Sequence, residues 1–143
     1  MAKYIIAHDV GTSGNKAVLV DTEGHVHGKC SESYRVYYSK PDWAEQEPED
    51  WWNAVTRTTK LLLEKTGVSP ADVLCVTHCT QMLGIVPMDP KTGPLRPGII
   101  WLDNRACNQA NRNQFMSTFY SDMYILARSL SQLTVDIPGC SEA

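Results

Sequence analysis

The sequence has 143 residues, of which 43% are hydrophobic and 20% are charged, with a formal net charge of -3. This length supports one compact domain with a core, but not two ordinary domains. The basic side chains are dispersed among acidic ones, which argues against nucleic-acid or anionic membrane partners. No apolar run approaches the roughly 20 residues that span a bilayer. Five cysteines without a Cys-x-x-Cys pair predict free thiols, so we expect a cytoplasmic protein.

The first part of the chain predicts three β-strands. Residues 3–8 and 16–20 are apolar, β-branched runs separated by a turn-rich segment,. A tight-turn signal at residues 21–24 precedes alternating β-formers over residues 26–38. Short turns between successive strands favour an antiparallel arrangement.

A helix is predicted to follow. Pro48 suits a first helical turn, and the two acidic residues after it suit the positive end of the helix dipole,. Apolar residues then recur at helical spacing up to Gly67, which is placed to end the helix,. Trp51 and Trp52 lie on this helix, and we expect both to pack against the sheet.

Beyond the helix, the sequence predicts a strand and a second hairpin. Residues 73–77 form a continuous apolar run that is typical of the middle of a covered sheet,. The hairpin has predicted arms at residues 83–88 and 95–102, on either side of a Pro- and Gly-rich turn,. Residues 103–119 have a helix-compatible composition.

The polar segment over residues 9–16 has the composition of a phosphate-binding loop. Two glycines three residues apart enclose Thr12 and Ser13, so several backbone N–H groups can turn toward one anion. Asp9, at the carboxyl end of the first strand, suits water-mediated binding of Mg²⁺ beside phosphates. An ordinary hairpin turn has the same spacing, and the Walker pattern is absent. Spacing alone leaves both interpretations open.

Four motifs in the same order resemble one known family. Residues 9–13 followed by 16–18 resemble the first phosphate-binding hairpin of the actin, Hsp70 and sugar kinase superfamily. Within that superfamily, three further motifs are similar to those of the FGGY carbohydrate kinases, with the xylulokinase branch nearest: WAEQEPEDWW at 43–52, TQM at 80–82 and LRPGIIWLDNRA at 95–106. The resemblance covers residues 3 to about 112.

The resemblance implies a ribonuclease-H-like α/β domain with a mixed sheet, which is incomplete in this chain. It implies the sugar-binding part of a kinase that transfers the γ-phosphate of ATP to a hydroxyl of a sugar or polyol. ATP and Mg²⁺ are the implied cofactors, with Asp9 as the metal ligand. The residues implied at the cofactor are Asp9, Gly11, Thr12, Ser13 and Lys16.

The resemblance also implies a sugar pocket made by Gln81, Met82, Leu83, Trp101, Asp103 and Arg105. Such a set offers a carboxylate and a guanidinium for hydroxyl groups, and apolar surface for the C–H face of a sugar. Trp101 also fits a core tryptophan, and Asp103 also fits a helix N-cap. Leu83 departs from the family, because the xylulokinases carry a histidine there and leucine forms no side-chain hydrogen bond. The particular sugar is therefore left open.

No catalytic residue is assigned, because the resemblance implies that the general base and the adenosine-binding domain lie beyond residue 143. We expect the chain to be inactive alone. Residues 1–112 are predicted as a partial N-terminal kinase domain, and residues 113–143 as a divergent tail with a helix over 119–133 and a frayed end,. Uncovered apolar surface would favour self-association. The alternative function is a non-catalytic interaction module that retains sugar or phosphate binding.

Overall fold

The computed structural model describes residues 3–110 of the chain. The chain divides into two compact units, Met1–Asn104 and Arg105–Ala143. In chain order the elements are β1 (Tyr4–Val10), β2 (Gly14–Asp21), β3 (Val26–Ser33), β4 (Glu45–Gln46), α1 (Pro48–Thr66), a 3₁₀ turn (Pro70–Asp72), β5 (Val73–Thr80), β6 (Met88–Asp89), β7 (Gly93–Pro94), β8 (Gly98–Ile99) and α2 (Cys107–Ala110). The helix predicted over 119–133 lies outside the described residues, and the domain boundary at residue 112 stays a prediction.

A four-stranded sheet organises the first unit, with strand order β3-β2-β1-β5. The first three strands are antiparallel, as predicted, while β5 runs parallel to β1. Because β1 and β5 are parallel neighbours, their carboxyl ends meet at one edge of the sheet, where Val10 pairs with Thr80. This edge is where ligands gather in open α/β sheets.

Helix α1 confirms the predicted start and end signals. Pro48 occupies the first turn, and Gly67 adopts a left-handed conformation (φ 68°) with its N–H bonded to the carbonyl oxygen of Leu63,. The helix buries Ala54, Thr58 and Leu62 against the sheet, at the spacing of one helical face,.

The two tryptophans at the start of α1 behave differently. Trp52 is 64% exposed, so the expectation that it packs against the sheet is wrong, because it falls outside the buried stripe of the helix. Trp51 is half-buried, and its ring lies 3.0 Å from the position that a Cβ on Gly98 would occupy.

Strand β5 lies at the edge of the described sheet rather than in its middle. Leu74 and Val76 on this strand are about half exposed. The apolar sequence is suited to burial, but the described residues provide no cover for it. Of the predicted second hairpin, only the short β6–β7 ladder and an Ile85–Ile99 bridge form, because the prolines in both arms remove ladder donors. In the described part of the chain, no helix combines the length and apolarity needed to cross a bilayer.

His8 is buried in β1 within a defined hydrogen-bond network. Its Nδ1 lies 3.0 Å from Nδ2 of Asn15, and its Nε2 lies 3.2 Å from Oγ1 of Thr59. The Thr59 hydroxyl donates to the carbonyl oxygen of Val55, so the imidazole must accept at Nδ1 and donate at Nε2. This pattern requires the neutral ring. Burial, and secondarily the stacked ring of His78, lowers the pKa of His8.

We expect His8 to make the fold less stable in mild acid. Its pKa is lower in the folded than in the unfolded state, so its contribution is complete above the ordinary pKa of about 6.5 and is lost as the pH falls below that value. Urea unfolding between pH 7 and pH 5 measures the effect. His8→Gln should flatten the dependence, whereas His78→Gln should retain most of it because burial is the dominant cause. Equal slopes in wild type and His8→Gln would contradict the assignment.

Candidate functional site

The loop between β1 and β2 closes as a tight turn, with the Gly11 N–H donating to the carbonyl oxygen of Gly14 at 3.0 Å. Within residues 3–110, the N–H groups of Thr12 and Ser13 donate to no other group. Two adjacent amides that remain available in a surface loop are the groups that a phosphate-binding turn requires. An ordinary two-residue hairpin turn leaves the same two amides unpaired, so both interpretations stay open and the phosphate-binding role of this loop stays a prediction.

Asp9 and Lys16 lie opposite each other at the start of this loop, on paired positions of β1 and β2. The Asp9 carboxylate lies 3.7 Å from Nζ of Lys16, and both side chains are largely exposed. The pair is therefore weak. Both groups lie beside the loop that the resemblance assigns to the cofactor.

Tyr34 forms two hydrogen bonds to the loop, a role that the sequence did not predict. Its N–H donates to the carbonyl oxygen of Ser13 at 3.3 Å, and its hydroxyl donates to the carbonyl oxygen of Gly11. Burial, with a smaller effect from Asp9, raises the pKa of Tyr34 to about 12. The phenol is therefore a permanent donor to the loop. Its position just after β3 carries no motif that identifies this role.

Three predicted site residues meet at one hydroxyl group. The indole Nε1 of Trp101 donates to Oγ1 of Thr12 at 2.8 Å, and that hydroxyl donates to Oε1 of Gln81 at 3.3 Å. Gln81 is further fixed by its N–H, which donates to the carbonyl oxygen of Val10 at 2.9 Å. The predicted phosphate loop and two residues of the predicted sugar pocket therefore share one location at the carboxyl ends of β1 and β5.

Gln46 lies beneath this junction and is fully buried. Its Nε2 donates to the carbonyl oxygens of Thr12 at 2.8 Å and Arg35 at 3.2 Å. Its Oε1 accepts from Nε2 of Gln81 at 2.8 Å and from Nε1 of Trp51 at 3.2 Å. Gln46 lies within the family motif at residues 43–52, but the sequence alone indicates no role for it. A glutamine next to a helix start gives no sign of such distant partners.

Met82 and Leu83 follow Gln81 and are both exposed, at 74% and 59%. Leu83 has a positive φ of 60°, which is uncommon for a residue other than glycine. Such backbone conformations cluster at functional sites. Together with the half-exposed ring of Trp101, these side chains offer apolar surface beside the phosphate loop.

Both the side chain and the backbone N–H of Asp103 form hydrogen bonds within the fold. Its Oδ2 accepts a hydrogen bond from the N–H of Ala44 at 2.7 Å, and its own N–H donates to the carbonyl oxygen of Ile100. The carboxylate therefore accepts a hydrogen bond from a loop amide next to β4. Arg105 belongs to the second compact unit, in a turn before α2. The substrate roles of both residues stay predictions.

The loop chemistry fits the implied cofactors. Mg²⁺ takes hard oxygen ligands and is commonly bound through one or two carboxylates together with waters and phosphates, a description that Asp9 meets. Among residues 3–110, no group of three or more His, Cys, Asp or Glu side chains is arranged to hold a metal ion. Any ion here would need the phosphates of ATP as co-ligands.

A cavity of about 250 Å³ opens elsewhere in the first unit, between the end of β3 and the first half of α1. It is polar, and its lining includes Glu32, Arg57 and Tyr34. Arg57 and Glu32 form an ion pair at 2.9 Å. None of the predicted site residues lines this cavity.

Comparison with known proteins identifies the family. The model of the FGGY family of carbohydrate kinases, N-terminal domain, matches residues 4–127. The chain belongs to this family. The family match, together with the structural likeness to a solved kinase of this kind, confirms the predicted resemblance and the ribonuclease-H-like fold class.

Relatives in sequence and structure agree. The chain is 29% identical to a glycerol kinase of Sinorhizobium fredii, covering 97% of this chain and 30% of that protein. It is 35% identical to a xylulose kinase of Staphylococcus epidermidis, covering 72% and 21%. The solved gluconate kinase of Lactobacillus acidophilus superposes with a TM-score of 0.75 at 27% identity, covering 85% and 25%. The chain thus spans less than a third of these kinases.

Proposed function

We propose that this chain forms the acceptor-binding and first phosphate-binding part of an ATP-dependent, xylulokinase-like kinase that phosphorylates a sugar or polyol hydroxyl. The observation that supports this most directly is the hydrogen bond of 2.8 Å between Trp101 and the Thr12 hydroxyl. It links the predicted acceptor pocket to the phosphate loop. Phosphoryl transfer requires the two substrates to lie this close, because the attacking oxygen must approach the γ-phosphate in line.

In this proposal each group has a separate task. The N–H groups of Thr12 and Ser13 bind phosphate oxygens of ATP, and Asp9 holds Mg²⁺ through water. When bound there, Mg²⁺ would supply charge neutralisation to the phosphates. Lys16 adds positive charge at the edge of the loop. Tyr34 keeps the turn closed by donating to the Gly11 carbonyl.

The acceptor pocket combines polar and apolar surface. The exposed indole of Trp101 and the side chains of Met82 and Leu83 suit the C–H face of a sugar. Gln81 and Asp103 provide groups that bind hydroxyls. Xylulose, gluconate and glycerol kinases are all among the relatives, so an open-chain sugar or polyol is the substrate class we propose. A non-catalytic module that retains this binding is the second candidate.

Calorimetric titration of the purified chain with D-xylulose, D-gluconate and glycerol tests the pocket. We expect Trp101→Ala to weaken binding of the preferred compound about tenfold, because a stacked aromatic ring contributes roughly 1 kcal/mol beyond its burial. Trp52→Ala is the matched control, since Trp52 has similar exposure (64% against 53%) but lies on α1 away from the loop. Equal weakening by the two variants, or no binding of any compound by the wild type, would contradict the proposal.

A further inference from the structure

Gln46 has only one consistent amide orientation. One end of its side chain faces two carbonyl oxygens, those of Thr12 and Arg35, and the other end faces the indole N–H of Trp51. Carbonyl oxygens accept only and an indole N–H donates only. The nitrogen must therefore face the carbonyls, and Oε1 must face Trp51 and Gln81. Any reversal would leave several buried polar groups without a hydrogen-bond partner, which is unfavourable.

The fixed Gln46 amide determines which groups donate and which accept in the hydrogen bonds that join Gln81, Thr12 and Trp101. Because Oε1 of Gln46 is an acceptor, Gln81 must point its NH₂ group toward Gln46 and its side-chain oxygen toward Thr12. The Thr12 hydroxyl must then donate its proton to Gln81, and it accepts the indole N–H of Trp101. A hydroxyl has one proton and two lone pairs. The Thr12 hydroxyl therefore has one lone pair left, so it can accept a hydrogen bond from a ligand but cannot donate one.

We propose that Gln46 is a positioning residue that sets the direction of this relay, so that Thr12 offers an acceptor to the bound substrates. This inference rests on the proposed function of the loop and pocket. Phosphate oxygens at neutral pH are acceptors, so they bind the amides of Thr12 and Ser13 rather than the Thr12 hydroxyl. The lone pair on Thr12 suits a donor, namely a hydroxyl of the sugar or polyol or a water on Mg²⁺. Gln46 also holds the Thr12 carbonyl, which fixes the loop backbone.

Gln46→Met tests the proposal against Trp51→Phe as a matched control. Methionine has a similar shape but makes none of the four hydrogen bonds, whereas Trp51→Phe removes one donor to the same amide and leaves the Thr12 and Gln81 bonds intact. Both variants should lower the free energy of unfolding. Only Gln46→Met should shift the Trp101 indole and Thr12 amide signals in ¹H–¹⁵N NMR spectra, and only it should weaken binding of the preferred titrated compound at least tenfold.

The two readouts separate this inference from the proposed function. If no sugar or polyol binds the wild type, the proposed function fails while the NMR signals still decide the role of Gln46. If both variants shift the Trp101 and Thr12 signals equally, or neither does, the positioning role is overturned. Should Gln46→Met fail to fold, Gln81→Met interrupts the relay at a less buried residue. It should shift the Trp101 indole signal and leave the Trp51 indole signal in place, and an unmoved Trp101 signal would overturn the relay.

Discussion

The purified 143-residue chain is expected to release no ADP above background when it is supplied with ATP, Mg²⁺ and a pentulose or polyol. Phosphoryl transfer needs the γ-phosphate, the metal and the attacking hydroxyl in line, together with a base for the hydroxyl proton. In the proposed function, the described residues supply one phosphate loop, one carboxylate beside it and an acceptor surface. The resemblance places the general base outside the described residues, and loss of such a base alone lowers rates about 10²- to 10⁴-fold. Without an opposing wall, ATP would also not be held in register.

A coupled ADP-release assay measures this directly, with Asp9→Ala as the background and a complete xylulose kinase as the positive control. Sugar-dependent ADP release well above the Asp9→Ala background would contradict the prediction. It would show that groups outside the described site, or from a second copy of the chain, complete the reaction centre. Repeating the assay over a range of chain concentrations separates these two sources, because a shared site gains specific activity as the concentration rises.

Local sequence signals predicted most of the sheet and the helix. The antiparallel strands β1 to β3 follow from alternating apolar residues and short turns, and α1 follows from Pro48 at its start and Gly67 at its end. These features depend on neighbours in the sequence, so a single chain is enough to read them. Trp52 shows the limit of these local signals, because it falls outside the buried stripe that includes Ala54, Thr58 and Leu62, and its apolar side chain alone does not reveal this,.

The sequence predicted individual residues of the candidate site but not the hydrogen bonds that join them. The resemblance marked Thr12, Gln81 and Trp101 separately, whereas the hydrogen bonds that join them cross 69 and 89 positions in the sequence. Tyr34 and Gln46 were missed as supporting residues because their partners are backbone carbonyls and distant amides. No local periodicity encodes such contacts, since they depend on how β4 and β8 pair beside the main sheet.

Substitution by alanine is expected to have different effects at the two glycines of the predicted phosphate loop: it should destabilise the fold at Gly14 and weaken anion binding at Gly11. A Cβ on Gly14 would lie 2.5 Å from the carbonyl oxygen of Glu32 and 3.0 Å from Cα of Ser33. Both are backbone atoms of β3, so neither can move without disturbing the sheet. A Cβ on Gly11 would meet only ordinary contacts, at 3.5 Å from the Gly14 carbonyl oxygen and 3.9 Å from Asp9. The fold therefore requires glycine at position 14 but not at position 11.

Gly14→Ala should lower the free energy of unfolding by about 1–3 kcal/mol or more, the usual cost of forcing extra volume into packed structure. Gly11→Ala should change it by less than about 0.5 kcal/mol, as for an ordinary surface substitution. Urea unfolding compares the two variants. The added methyl of Gly11→Ala would lie 3.9 Å from the Asp9 carboxylate, where the proposal places Mg²⁺ and phosphate. Titration with MgATP should therefore shift the Thr12 and Ser13 amide signals at least tenfold less effectively than in the wild type. A stable Gly11→Ala chain that binds MgATP as the wild type does would show that this turn is an ordinary hairpin, because glycine would then serve neither the fold nor an anion.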